Sequence, residues 1–249
     1  MAATHIGARR KITAREIQTH PLIVRLNEKL HDHLSDIEKT EVYRVISSKD
    51  TSAELGAAIV KYVLLEVFSY GAHVTEATFT AIGRMPLKNP QLMEQAVHHL
   101  LEEVSHPELA LSDYLKLGGD EQWARQRRIT PQAFAMAASC RMLATHEDPF
   151  AYLGYMYLFE ALTPIIAQRV QTFLSDIGVK VNTQAFINVH AKEDIAHTAW
   201  MQRLIVEAVA LYPESEPAVE YGFDCFRAVY PIPIWTAALA HARAELEQD

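Results

Sequence analysis

Apolar residues recur at intervals of three and four through most of the chain, and strict alternation is almost absent, so the pattern predicts helices and no sheet. Thr13, with Glu16 three residues on, marks the first helix by a capping-box pair, and the pattern runs to about Leu34 with a kink or restart at Pro21. A second helix is predicted from near Ser52 to Gly83, ended by Arg84-Met85-Pro86. The third starts near Pro90 and breaks at Ser105-His106-Pro107, after which Glu108 to Lys116 resumes before Gly118-Gly119. Thr130-Pro131 opens a helix to about Thr145, and the next runs from Phe150 to about Ile177, with Pro164 inside it and Gly178 at its end. Thr183 is predicted to open one long helix that stops before Tyr212-Pro213. Ala218 to Glu247 reads as helical on both sides of Pro231-Ile232-Pro233. Connections are short and no Ser/Gly-rich linker intervenes, so the expectation is all-α: one domain over 1–249, a bundle of about seven helices, with residues 1–12 flexible.

Composition narrows the function classes. A hydrophobic content of 49% suffices for a large core, and only 9 glycines agree with helices. The net charge of −8, with no basic block beyond Ala8 to Lys11 and Arg125 to Arg128, argues against nucleic acid as a partner. No run reaches the ~18 uninterrupted apolar residues of a membrane span, and the N-terminus has no apolar signal core, so a cytoplasmic protein without a membrane partner is expected. Cys140 and Cys225 lie in apolar helical contexts without metal-type spacing and read as buried, reduced thiols. Any metal must therefore be held by nitrogen and oxygen.

Three clusters offer such ligands. In His190-Ala-Lys-Glu-Asp194-Ile-Ala-His197, residues 190, 194 and 197 fall within roughly 60° of one another on a helix. The plain alternative is a solvated polar face. Glu160 is the only charged side chain between Phe150 and Gln168, and an ionised carboxylate in such surroundings needs a cation or an ion-pair partner such as Arg141. Glu103 and His106, three apart, share a helix face that Glu102 does not, which favours Glu103 over Glu102. His99 lies on that face too and reads as a supporting residue. Together Glu103, His106, Glu160, His190, Asp194 and His197 supply three imidazoles and three carboxylates, an inventory that fits two divalent irons. Tyr70, Tyr155, Tyr157, Phe159 and Trp200 can line a pocket, although aromatics at helical spacing are more often core.

The order Glu-x-x-His106-Pro-Glu-Leu, then Leu-Phe-Glu160-Ala-Leu-Thr-Pro, then His190-x-x-x-Asp194-x-x-His197 resembles the haem-oxygenase-like diiron oxidases and oxygenases, the iron-containing redox enzymes. Thr19-His20-Pro21-Leu is similar to the first helix of that superfamily, which includes thiaminase-like and pyrroloquinoline-quinone-synthase-like proteins. The resemblance covers roughly residues 15 to 212. It implies a haem-oxygenase-like fold, two Fe(II) per chain, oxygen as co-substrate, an external reductant for some reactions, and a small metabolite, foremost an amino acid or amine, as substrate. A homodimer is compatible with it. Relatives often carry a longer insert between the first glutamate and the histidine before Pro-Glu-Leu. Haem itself is not expected, because His20 faces no glycine-rich run. The rival reading is a metal-free binding or cofactor-processing protein of the same fold; its thiaminase-like form needs a nucleophilic cysteine in the pocket. A third reading is iron storage without catalysis.

Overall fold

The computed structural model describes residues 12–85, 90–180, 184–192 and 194–247, with the side chain of Asp194 outside that description. The expectations placed on residues 1–11, on Pro86, on Thr183 and on the Asp194 carboxylate lie outside the described residues. Every element among those described is helical. The helices are α1 (Ala14–Gln18), α2 (Pro21–Glu38), α3 (Glu41–Ser47), α4 (Ala53–Arg84), α5 (Pro90–Glu103), α6 (His106–Lys116) and α7 (Glu121–Gln126). They continue with α8 (Pro131–Thr145), α9 (Ala151–Asp176), α10 (Ala185–His190), α11 (Asp194–Leu211), α12 (Glu216–Val229) and α13 (Ile232–Leu246). A 3-10 turn, Pro213–Ser215, joins α11 to α12.

Thirteen α-helices among the described residues, rather than about seven, correct the expected count. Local capping accounts for much of the difference. The Thr13–Glu16 box forms as predicted, and of the two outcomes expected at Pro21 the structure shows the restart, with His20 Nδ1 accepting from Leu22 N–H at 3.3 Å. Thr40 and Asp120, which accept from the N–H groups of Tyr43 and Trp123, open the short helices α3 and α7. The predicted long helix from 183 to 211 is two pieces. Lys192 N–H bonds back to Val189 O in a tightened turn, while the Ala191 carbonyl accepts from the Gln168 side chain at 3.1 Å, an outside donor at the place where the ladder would continue.

Two long helices organise the rest. α4 packs against α6, α8 and α13, and α9 packs against α11 and α12. By length and composition α4 could cross a membrane, but 56% of its apolar window is buried inside the bundle, as in the core helix of a globular fold. α9 meets α12 at van der Waals contact of backbone with backbone: a Cβ on Gly154 would lie 1.8 Å from Val219 O, and one on Gly222 would lie 1.7 Å from Ala151 O. Glycine is required at both positions. The core around them is aromatic, with Tyr152, Tyr155, Tyr157, Phe223 and Phe226 fully buried.

Candidate metal centre

Glu160 sits on α9 about a turn and a half beyond Gly154, where α10 and α11 pack on the helix and His99 of α5 reaches it. It is 2% exposed and meets no arginine: Arg141, the sequence-level candidate, pairs with Glu76 at the surface. Its partners are imidazoles. His99 Nε2 lies 3.0 Å from Glu160 Oε1, and His197 Nδ1 lies 3.5 Å from Oε2. Burial pushes the Glu160 carboxyl upward, but hydrogen bonds from His197 and His99 outweigh it and leave the group ionised, at about 2. Burial likewise opposes protonation of His99, and the bond to Glu160 with the nearby Glu103 charge reverses that, so its pKa is raised.

Glu103 lies at the last residue of α5 and His106 at the first of α6, so a break separates two residues expected on one helix face. The turn still brings them together, with Glu103 Oε2 and His106 Nδ1 2.6 Å apart. The other oxygen of Glu103, Oε1, faces His197 Nδ1 at 3.5 Å. The two carboxylate oxygens thus point to different histidine groups. One group is Glu103, His106 and His190; the other is His99, Glu103, Glu160 and His197, and within each group the potential ligand atoms lie within 4.8 Å of one another. Glu103 belongs to both. Glu102, by contrast, is on the rim, 47% exposed, with contacts of 3.4 Å to His98 and His197.

The supports of these side chains are readable in the geometry. His190 Nδ1–H donates to Phe186 O at 2.7 Å, which fixes the tautomer and puts the ring's lone pair on Nε2. Its ring lies 4.6 Å from that of His106 and 3.9 Å from Phe186, centroid to centroid. Asp113 of α6, fully buried, accepts from the N–H groups of Ala185 and Phe186 at 2.7 and 2.8 Å and so ties the start of α10 to the helix that carries His106. Thr198 Oγ1 donates to the Glu160 carbonyl at 2.8 Å, which docks α11 on α9 beside the site. His99 packs its ring 4.7 Å from both His197 and Trp200.

Of the six residues singled out from sequence, the structure gathers Glu103, His106, Glu160, His190 and His197 into these two groups; the sixth, Asp194, begins α11 one turn before His197. His99, read from sequence as a supporting residue, stands inside the second group. Its signal was the i, i+4 spacing to Glu103. Buried polar atoms lacking a hydrogen bond include His99 Nδ1 and Glu103 Oε1. A cluster of buried imidazole nitrogens and carboxylate oxygens that leaves such atoms unsatisfied suits a divalent first-row metal, iron included.

A cavity of about 570 Å³, counting its open mouth, adjoins the cluster, with Thr75, Thr78 and Met156 also in its lining. The sequence candidates Tyr70 and Phe159 line it, whereas Tyr155 and Tyr157 are core. Cys140 lines neither this cavity nor the apolar one beside it. Its thiol donates to Tyr155 Oη at 2.8 Å, and burial pushes its pKa up to about 12, far from a nucleophilic thiolate.

The fold is haem-oxygenase-like. It superposes on a domain of unknown function with a heme oxygenase-like fold from Shewanella denitrificans OS217 with a TM-score of 0.73 and 20% identity, covering 90% of this chain and 93% of that one. A TenA homolog from Pseudomonas syringae pv. tomato DC3000 matches with a TM-score of 0.69 and 12% identity, over 94% of this chain and 99% of that one. No curated protein matches the sequence. The model described as iron-containing redox enzyme matches residues 61–230, and the chain belongs to that family.

Proposed function

We propose that the protein is a non-haem diiron oxidase or oxygenase. It holds two Fe(II) between α5, α6, α9, α10 and α11 and uses oxygen to oxidise a small organic substrate. The observation that carries this reading is Glu103, whose two oxygens face separate histidine groups, as a carboxylate bridging two metals must. His106 and His190 would hold one metal with Glu103, and Glu160, His197 and His99 would hold the other; Asp194, the first residue of α11, is the further ligand we propose from the sequence. Bound iron would supply oxygen activation and electron transfer.

The chain's own residues do the rest. Glu160 is already ionised beside His99 and His197, so a cation entering between them would displace protons from the imidazoles and none from the carboxylate. Phe186, through its carbonyl, keeps the His190 lone pair on Nε2. Met156, Phe159 and Leu100 wall the adjoining cavity and limit water beside the cluster. Electrons beyond those given by the substrate come from an external reductant, and the protein works in the cytoplasm without nucleic acid or membrane.

The thiaminase-like alternative loses support at Cys140, whose thiol is held protonated and lies off both cavities. The test is oxygen consumption. Protein loaded anaerobically with Fe(II) and then mixed with oxygenated buffer should take up oxygen with a transient visible absorbance and turn over in the presence of substrate. Iron uptake without any substrate-dependent turnover would favour storage, and no iron uptake would overturn the proposal.

A further inference from the structure

A second cavity shares a wall with the first. It encloses about 830 Å³ of space counting its open mouth and runs between α3, α4, α9, α10 and α13. Val67, Tyr70, Phe159 and Phe186 line both cavities, so the space beyond these four side chains leads toward Glu103 and Glu160. Its own wall is aliphatic, with Ile46, Ile59, Val63, Leu162, Ile166 and Val170 prominent. No charged side chain is among the described residues that line it, and the hydroxyl of Thr163 is spent on the Phe159 carbonyl at 2.7 Å. In the cavity beside the cluster the charged side chains among the described lining residues belong to the cluster itself, and none of those described residues is Lys or Arg.

This division of polarity selects a ligand. An ammonium or carboxylate placed in the apolar cavity would be buried without a counter-ion, so the charged part of a ligand has to gather at the cluster. A molecule with an apolar body and a single polar end meets no such cost. We infer that the substrate is an aliphatic-chain molecule whose one polar group lies against the histidine–carboxylate cluster while its chain occupies the Ile46–Val170 cavity. The inference rests on the proposed oxidase reading for the chemistry at the polar end, but the chain-binding half stands on the cavity alone. Among amines it selects one with a long alkyl chain over a short polar one.

The test uses the full chain, first metal-free and then loaded with Co(II), and three homologous series: n-alkyl alcohols, n-alkylamines and n-alkyl carboxylates. Calorimetric affinities should rise about fourfold per added methylene in every series, then level off once the cavity is filled. The metal should change the ranking of the heads and not the dependence on chain length. Ala167→Phe, which fills the cavity from α9, should stop the gain at a shorter chain; Val170→Trp makes the same test at a less buried position if Ala167→Phe does not fold. Affinity independent of chain length, or tighter binding of short zwitterionic amino acids, would overturn the inference. Two metals bound with a flat chain-length series would sink it alone, whereas no metal with a steep series would sink the oxidase reading and leave the cavity assignment intact.

Discussion

Helix α9 passes through two regions of opposite design. Around Gly154 it touches α12 backbone to backbone, and the contacts are glycine and aromatic ring with no ionised group. Farther along, around Glu160, its neighbours are the ends of helices: the end of α5, the start of α6, the short α10 and the first turns of α11. The first region buries area with little freedom. The second gathers carboxylates and imidazoles beside two cavities. Ends of helices suit that task because their side chains can converge from several directions, whereas a continuous helix offers one face. The close-packed region anchors the helix on which Glu160 rides, so rigidity at one end gives a fixed position to the charge at the other.

Substitutions in each region should separate the two roles. Gly154→Leu has the largest expected effect, since its Cβ alone would press on Val219 O, a backbone atom that cannot rotate away. We expect a loss of about 3 kcal/mol or more in chemical denaturation, or failure to fold. Near-normal stability would show that α9 and α12 can separate. Glu103→Gln should act on the other region: Co(II) binding should fall from about two metals per chain to about one or none, with the helical circular dichroism unchanged, because one side chain serves both groups. Full stoichiometry in that variant would remove Glu103 from the centre.

Asp113→Asn probes the support of the site. Its carboxylate accepts two amide protons at the start of α10 and pairs with Lys116 at 2.9 Å. The variant should lose about 1–2 kcal/mol of stability, and metal affinity at the subsite containing His190 should weaken by ~10–100-fold. Unchanged metal affinity with reduced stability would confine Asp113 to a structural role. The smallest effect concerns pH. His33 on α2 is buried and donates from Nε2 to Tyr230 O at 2.9 Å; burial lowers its pKa below 6.5, and the hydrogen bond offsets only part of that. The unfolded chain then binds the proton more readily. The contribution is fully present above about pH 6.5 and is lost as the pH falls from there through the folded-state pKa. In His33→Gln, the drop of melting temperature between about pH 7 and pH 5 should be shallower than in the wild type; equal slopes would place the titration elsewhere.

Much of this arrangement was legible in the residues themselves. The caps at Thr13, Ser52 and Thr130 are local, so the helices they open could be read directly. Glu160 announced itself as the one charge in an apolar helix. What escaped depends on distant partners: the break after His190 is set by Gln168, 23 residues away, and the docking of α10 by Asp113, 72 residues from Ala185. His99 showed the correct spacing to Glu103, but its closeness to Glu160 bridges 61 residues and depends on how α5 lies against α9. The apolar cavity has no sequence signature at all, since its lining comes from elements that are individually ordinary core helices.

The central claim is that Glu103 joins two metals into one centre, and spectroscopy of the iron-loaded protein tests it most directly. Apo protein would be loaded anaerobically with two equivalents of iron-57, oxidised with oxygen, and followed by Mössbauer and electron paramagnetic resonance spectra. The account predicts an antiferromagnetically coupled diferric pair, silent in paramagnetic resonance, as the dominant iron species. A dominant signal from isolated high-spin ferric ions, or iron that remains in solution, would contradict it.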